Sequence, residues 1–293
     1  MSRTITTISS GHTILEGPRW HEGRLWCSDL YANRVLSMAE NGTDQRIEAE
    51  LGDHPSGLGW LPDGRLLIVS MTEHKLLRRE PDGEIVTHAD LGDFVQGYAN
   101  DMVVDARGRA FVGNSGFAVF ADEPFVPGSV VRVDPDGRVE VAAEDMWFPN
   151  GSVFLPDGTL LVGETVGNRI TAFDVADDGS LAERRAWATF GDPPEPTERS
   201  FGNAMSFMGV AADGCALDAD QALWIADCGG NRVVRVRAGG EILEEVSMGA
   251  TTLACALGGD DGRTLFVCTV PSSNNAELVT VRVDVPASPH QTA

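Results

Sequence analysis

The sequence predicts an all-β fold, a six-bladed β-propeller, and two observations lead to it. Six times along the chain, a polar residue starts a short apolar strand that is followed by a tight turn and a second, more apolar strand. The six units follow one another without a linker or a change in composition. Repeats of strands and turns are typical of a propeller, in which equivalent positions of all blades surround one axis. We therefore expect one propeller domain over residues 1–293. The units begin EGPRW at Glu16, SGLGW at Ser56, NDMVV at Asn100, NGSVF at Asn150, DGCAL at Asp213 and TLACA at Thr252.

Each unit contains the signals of a four-stranded blade. The first turn is rich in Gly and Asp, as in PDG at 62–64 and 156–158, and these residues supply the backbone angles of tight hairpins. The second strand is the most apolar, as in LLIVS and LWIAD. A third strand often begins Asn-Arg, as in NRVLSM at 33–38, and a more charged outer strand follows.

The two ends of the chain predict how the ring closes. The last unit ends near Val285 without an obvious outer strand, whereas Thr4 to Ile8 has a strand pattern with nothing before it. We expect this N-terminal strand to complete the last blade, because that pairing would remove the open sheet edges.

The composition limits the classes of molecule that the protein is expected to bind. The net charge of −22, from 44 acidic against 22 basic residues, argues against nucleic acid and anionic membranes as partners. The sequence has no apolar run long enough for a membrane span and no apolar signal segment near its start. Its five cysteines form no CxxC pair and lie in or beside apolar strand patterns, as buried reduced thiols do. We expect a cytoplasmic protein, and the sequence carries no signal for an oligomeric state.

The longest connection lies between the fourth and fifth units. Residues 191–212 are rich in Pro and Gly but include Met205, Phe207 and Met208. Long loops in compact domains are often functional. Because this one leads directly into Asp213, we expect it to form a lid or wall over the channel.

The residues that open the units carry the functional signal. The first strand of each blade lines the central channel of a propeller, so Glu16, Asn100, Asn150 and Asp213 are expected to converge. Two carboxylates and two amides form an all-oxygen donor set that suits one divalent cation, Ca²⁺ in the first place. Mn²⁺, Fe²⁺ and Zn²⁺ stay alternatives, since these ligands accept several divalent ions. Any one of the four residues, taken alone, could simply cap a strand end.

Four motifs resemble the gluconolactonase/regucalcin (senescence marker protein) family of lactonases. They are EGPRW, ANDMVVDARGRAFVG, PNGSVFLPDGTLLVGET and ADGCALDADQALWIAD, in the family's order over essentially the whole chain. The resemblance implies a six-bladed propeller that opens lactones with one catalytic divalent metal at the channel mouth. It implies that Glu16, Asn150 and Asp213 are metal ligands. Asn100 matches a residue that contacts substrate beside the metal and is itself a ligand in a phosphatase relative, and Asp101 completes the family's Asn-Asp pair.

One position departs from the family pattern and bears on the substrate. Sugar-lactonase members have an arginine two residues before the Asn of this pair, where the present chain has Tyr98. The substitution disfavours a typical sugar-acid lactone. The nearby apolar residues Trp147, Phe148, Met205 and Phe207 favour a less polar lactone or ester, although ordinary blade packing would also account for the aromatic residues.

The expected chemistry follows from the metal. A bound cation polarises the lactone carbonyl, Asp213 is the candidate catalytic base or nucleophile, and Glu16 is expected to be a ligand only. Two other functions stay open. One is a phosphotriesterase-like hydrolase that uses the same metal, and the other is a non-catalytic metal-binding scaffold, since fold alone does not specify function.

Overall fold

Six four-stranded antiparallel sheets make up the protein, and they confirm the predicted six-bladed β-propeller. The structure is a computed structural model that describes residues 3–119, 121, 126–192, 201–205, 207–273 and 275–289. Blades one to five each use four consecutive strands, starting with β2, β6, β10, β14 and β18. The elements are β1 Ile5–His12, β2 Leu15–His21, β3 Arg24–Asp29, a 3₁₀ turn Leu30–Ala32, β4 Arg34–Met38, β5 Arg46–Glu50, β6 Pro55–Trp60, β7 Leu66–Ser70, β8 Lys75–Arg79, β9 Ile85–Asp90, β10 Ala99–Val104, β11 Ala110–Asn114, β12 Gly128–Val133, β13 Val139–Met146, β14 Pro149–Phe154, β15 Leu160–Glu164, β16 Arg169–Val175, β17 Leu181–Thr189, α1 Phe201–Met205, β18 Ala212–Leu217, β19 Leu223–Asp227, β20 Arg232–Val236, β21 Ile242–Ser247, β22 Thr251–Gly258, β23 Thr264–Ser272 and β24 Asn275–Arg282.

The sixth blade joins the two ends of the chain, as predicted. Its strand order is β22, β23, β24 and then β1, so the N-terminal strand is the outer strand of the last blade. β1 runs antiparallel to β24, with Ile5 opposite Val281 and Thr7 opposite Val279. The ring is thereby closed by backbone hydrogen bonds rather than by side-chain packing alone.

The predicted turns and apolar strands are present. Gly64 and Gly158 end the two PDG turns with φ of 86° and 88°, a left-handed conformation that glycine adopts without strain. Second strands such as β7, β15 and β19 are buried at every residue, as continuous apolar runs require.

The hydrophobic core is divided into layers between adjacent blades. One apolar cluster packs blade two on blade three and contains Leu67, Met102 and Val131. Comparable clusters lie at the other five blade contacts, including the contact between blade six and blade one. Each blade is therefore held on both faces.

Acidic residues at the ends of several second strands hold the start of the third. Glu164 accepts a hydrogen bond from Arg169 at 2.7 Å, and Asp227 accepts one from Arg232 at 2.7 Å. The Asn-Arg pattern in the sequence marks these hairpins. All five cysteines are free thiols. Within the described residues, no helix has the length and apolar character needed to cross a bilayer.

Candidate active site

Every inner strand is irregular at or beside the residue that opens its repeat. In β10, Ala99 pairs with Asn114 and Met102 with Val112, so Asn100 and Asp101 share a bulge. In β14 and β18 the register shifts in the same way, across Asn150 and Asp213. Bulges redirect side chains and are common beside active sites. Here the bulges interrupt the regular alternation of side chains between the two faces of the sheet at the opening residues.

Adjacent inner strands also approach each other closely at these bulges. A Cβ on Gly57 would lie 2.6 Å from the backbone nitrogen of Met102, and one on Gly151 would lie 2.5 Å from the carbonyl oxygen of Asp213. Only glycine fits such a contact. In these blades the glycine after the opening residue thus allows the inner strands of neighbouring blades to come into backbone contact.

Four of the opening residues line one cavity of about 440 Å³: Glu16, Asn100, Asn150 and Asp213. They come from blades one, three, four and five. The side chains of Asn150 and Asp213 are 4% and 8% exposed. The arrangement converges two carboxylates and two amides, from residues as far apart in sequence as 16 and 213, on one partly closed space.

The two carboxylates are held in an unfavourable electrostatic setting. Burial and the charge of Asp101 raise the pKa of Asp213 from 3.8 to about 8. Burial and the charge of Asp213 raise the pKa of Glu16 well above 4.5. Desolvation and like charge both disfavour the ionised form. The site therefore gains stability from any cation that binds between these groups.

A buried ion pair lies next to the carboxylates. Arg19 donates from Nη2 to Oδ1 of Asp101 at 2.7 Å and to the carbonyl oxygen of Met102 at 2.7 Å. The exposures of the two paired side chains are 8% and 9%. The pair joins β2 of blade one to β10 of blade three. With Glu16, Asp213 and Asp101 ionised and Arg19 charged, two negative charges stay unbalanced, which is the charge of one divalent cation.

Hydrogen bonds orient the amide and carboxylate groups. Asn150 donates from Nδ2 to Thr165 at 3.2 Å, and Thr165 in turn donates to the carbonyl oxygen of Ala212 at 2.8 Å. Asn150 and the Cys228 thiol also hydrogen-bond to Asp213, and both bonds counteract the rise in its pKa. Since the amide nitrogen of Asn150 is used in these contacts, its oxygen is the atom left for a cation.

The donor set fits a hard divalent cation rather than a thiolate or imidazole site. The described residues that line the cavity include no histidine, lysine or arginine. Their one cysteine, Cys228, is kept as a neutral thiol, because burial and the charge of Asp213 raise its pKa well above 9.0. Within the part of the chain that the structure describes, no three His, Cys, Asp or Glu side chains are grouped so that they could hold an ion by themselves. Amide oxygens would therefore have to complete the coordination of Glu16 and Asp213, which is the set that hard cations accept.

The other residues predicted to bind substrate divide into two groups. Tyr98, Phe148 and Met205 line the cavity together with the four opening residues Glu16, Asn100, Asn150 and Asp213, which are called the ring residues below. Asp101 does not line it, because its carboxylate is paired with Arg19.

Two more of the predicted residues lie outside the cavity lining. Trp147 donates its backbone N–H to Glu164 at 2.7 Å, and its side chain packs against the apolar cluster that contains Phe117 and Phe148. Phe207 is 59% exposed, in the turn after α1. Part of the loop predicted to be a lid, residues 193–200 and 206, lies outside the described residues. Its described segment α1 contributes Phe201 and Met205 to the wall.

Several lining residues carry no repeat signal and are not evident from sequence. Tyr31 and Met71 lie in connections between strands, whose lengths differ from blade to blade. Cys228 follows β19 and reaches the site because Ala212 pairs with Asp227 in the β18–β19 hairpin. That hairpin register is the one signal from which the position of Cys228 could have been inferred.

Comparison with known proteins agrees with this geometry. Residues 14–271 match the sequence profile of the family described as SMP-30/Gluconolactonase/LRE-like region. The chain belongs to this family. Its ring residues Glu16, Asn100, Asn150 and Asp213 all lie inside the matched range.

Individual relatives match this chain at low sequence identity. A 6-deoxy-6-sulfogluconolactonase of Pseudomonas putida is 27% identical over 180 residues, which is 61% of this chain and just over half, 56%, of that protein. The pentonolactonase XacC of Haloferax volcanii is 26% identical over 91% of this chain and 85% of its own. The solved structure of a Xanthomonas campestris gluconolactonase superposes with a TM-score of 0.74 at 26% identity, covering 96% of this chain and 89% of that one.

Proposed function

We propose that this member of the family is a metal-dependent hydrolase that opens a lactone ring. The observation that carries the proposal is the convergence of Glu16, Asn100, Asn150 and Asp213 from four blades on one cavity. Burying two carboxylates together is unfavourable for folding. A scaffold that bound neither a metal nor a substrate would gain nothing from such a site. The relatives named as lactonases support the same reaction class.

The ligands in this proposal are Glu16, Asn150 and Asp213, with Asn100 beside them. One divalent cation is expected, Ca²⁺ in the first place, with Mn²⁺, Fe²⁺ and Zn²⁺ as alternatives. When bound, it supplies positive charge to the lactone carbonyl oxygen, where negative charge develops.

Asp213 is proposed as the catalytic carboxylate. It takes a proton from the attacking water, or attacks the carbonyl carbon itself, at a carboxylate oxygen. The hydrogen bonds from Asn150 and Cys228 hold that carboxylate in place. Glu16 acts only as a ligand.

The substrate of this proposal is not a typical sugar-acid lactone. Tyr98 lines the cavity, and the resemblance noted above implies an arginine at this position in the sugar-lactonase members. A neutral phenol has fewer hydrogen-bond donors than a guanidinium, so it binds a polyhydroxylated ring less well. We also propose a cytoplasmic location, which the five free thiols support.

The test is hydrolysis of sugar, aliphatic and aromatic lactones, followed by proton release, with EDTA and with added Ca²⁺. We expect turnover of at least one lactone, its loss on chelation and its return with Ca²⁺. Asp213→Asn should abolish turnover while metal stays bound, and Asp44→Asn, at a surface carboxylate, should not change it. Full activity of Asp213→Asn with metal bound would refute the catalytic role.

The same panel separates the competing functions. Turnover of phosphotriesters but of no lactone would favour the phosphotriesterase alternative. Metal binding without any turnover would favour the non-catalytic alternative. Nothing in the described cavity favours either of these over lactone hydrolysis.

A further inference from the structure

The cavity has a polar floor and an apolar wall. The ring residues and Thr165 supply the polar groups at the floor. The wall comes mainly from the connections beside the inner strands and from α1, with Leu253 of the inner strand β22. Its side chains include Tyr31, Met71, Phe148, Phe201 and Met205.

One side of this wall is a packed aromatic cluster. The ring centroids of Phe148 and Phe201 lie 5.9 Å apart, and each lies 6.1 Å from the centroid of Phe117. Phe117 and Phe148 are 4% and 9% exposed. Rings packed on one another in this way form a preformed apolar surface, which a ligand can cover without ordering new side chains.

The formal charges at the cavity are negative. Among its described lining residues, only Glu16 and Asp213 are ionisable to a full charge near neutral pH, and both are acids. A bound divalent cation would balance the charges of Glu16 and Asp213, so a further sulfonate, phosphate or carboxylate on the substrate would find no basic side chain among the described lining residues. Hydroxyl groups directed at the wall would lose water and find few hydrogen-bond partners, which is unfavourable.

We propose that the substrate is an uncharged lactone whose ring bears an apolar substituent, alkyl or aryl, that packs against Phe148, Phe201 and Met205. The ester group then lies at the ring of Glu16, Asn100, Asn150 and Asp213, and the substituent points to the aromatic cluster. This inference rests on the proposed lactonase function. It assigns Phe148, Phe201 and Met205 as specificity-determining residues, and it sets this chain apart from relatives named for sugar lactones.

The experiment compares δ-lactones with unbranched substituents of increasing length and includes δ-gluconolactone, all with saturating Ca²⁺. Each added methylene that is buried should raise kcat/KM about fourfold until the cavity is filled. Phe201→Ser and Met205→Ser should each lower this increment per methylene. Ile47→Ser, at an exposed apolar residue of β5 outside the lining, should keep it. Far-UV circular dichroism and thermal unfolding of each variant verify that it is folded.

A second readout separates this inference from the proposed function. Lactams with the same substituents are not easily hydrolysed, and their binding is measured by the increase in melting temperature. If lactones are turned over but neither kcat/KM nor lactam binding rises with chain length, the inference is overturned and the lactonase function stands. If lactam binding rises with chain length but no lactone is turned over, the apolar subsite stands and the lactonase function fails. Preference for δ-gluconolactone over every alkyl lactone would also overturn the inference.

Discussion

Removing the guanidinium of Arg19 should destabilise the protein strongly, because it would leave Asp101 buried and unpaired. The two groups are 2.7 Å apart, and their side chains are 8% and 9% exposed. Breaking a buried ion pair from one side costs about 3–5 kcal/mol. Asp101 also lies near the carboxylates of Glu16 and Asp213, whose pKa values its charge already raises. We therefore expect Arg19→Met to lower the free energy of unfolding by about 4 kcal/mol.

Replacing both partners should restore most of that loss. In Arg19→Met/Asp101→Leu no charge is left unpaired, and apolar substitutes for a buried pair are often neutral or stabilising. The double variant should therefore lie within about 2 kcal/mol of the wild type. Urea unfolding at pH 7, followed by tryptophan fluorescence, measures all the free energies.

A matched control exists on the surface. Arg46 pairs with Asp44 where both side chains are more than half exposed, so Arg46→Met should change stability by less than about 1 kcal/mol. Two results would refute the reasoning: an Arg19→Met variant no less stable than Arg46→Met, or a double variant as unstable as Arg19→Met. Either would mean that the ion pair does not contribute through its buried charge.

Four further expectations follow from the ring and its closure. The folded-state pKa of Asp213 is raised, so the metal-free protein should lose stability as pH rises from 3.8 to about 8. Asp213→Asn should reduce this dependence of the free energy of unfolding on pH, by at most about 6 kcal/mol over the whole range. Urea unfolding of the chelated protein at several pH values measures it. Binding of Ca²⁺ at pH 7 should release protons from Glu16 and Asp213, and calorimetry in buffers of different ionisation enthalpy measures the number released. Gly57→Ala should destabilise by about 3 kcal/mol through its contact with the neighbouring strand, whereas Gly52→Ala, with nothing within 4 Å, should be nearly neutral. Deleting β1 should lower the melting temperature, because it exposes the edge of β24; an unchanged melting temperature would mean that closure does not stabilise the ring.

The blades could be predicted well from the sequence because each of the six repeats contains the signals of the same blade structure. A PDG turn or an apolar second strand is a weak signal alone, but its recurrence fixes the blade pattern and hence the level at which Asn150 and Asp213 meet. The closure by β1 was predictable too, since the last repeat lacks a strand and the first residues supply one.

The cavity walls could not be predicted in the same way. Tyr31, Met71 and Phe201 lie in connections whose length and composition differ between blades, so no repeat marks them. Arg19 was equally hidden. Arg19 lies in the EGPRW motif close to Glu16, but its partner Asp101 lies 82 residues further along the chain. Only the folded propeller brings the two side chains together. The sequence thus predicted the residues at the axis, and tertiary structure was needed for those that shape the space above them.

The pairing of β1 with β24 also affects how the chain is made. Strand β1, Ile5–His12, leaves the ribosome before every other described strand, whereas its partner β24, Asn275–Arg282, leaves after the others. During synthesis β1 therefore has no native neighbour, while blades one to five can form one after another behind it. The final blade is completed only after the other five blades have been translated. A truncated chain that stops before β24 leaves the edge of β23 open and β1 without its partner strand, and such exposed strands make it a natural target for chaperones and proteases.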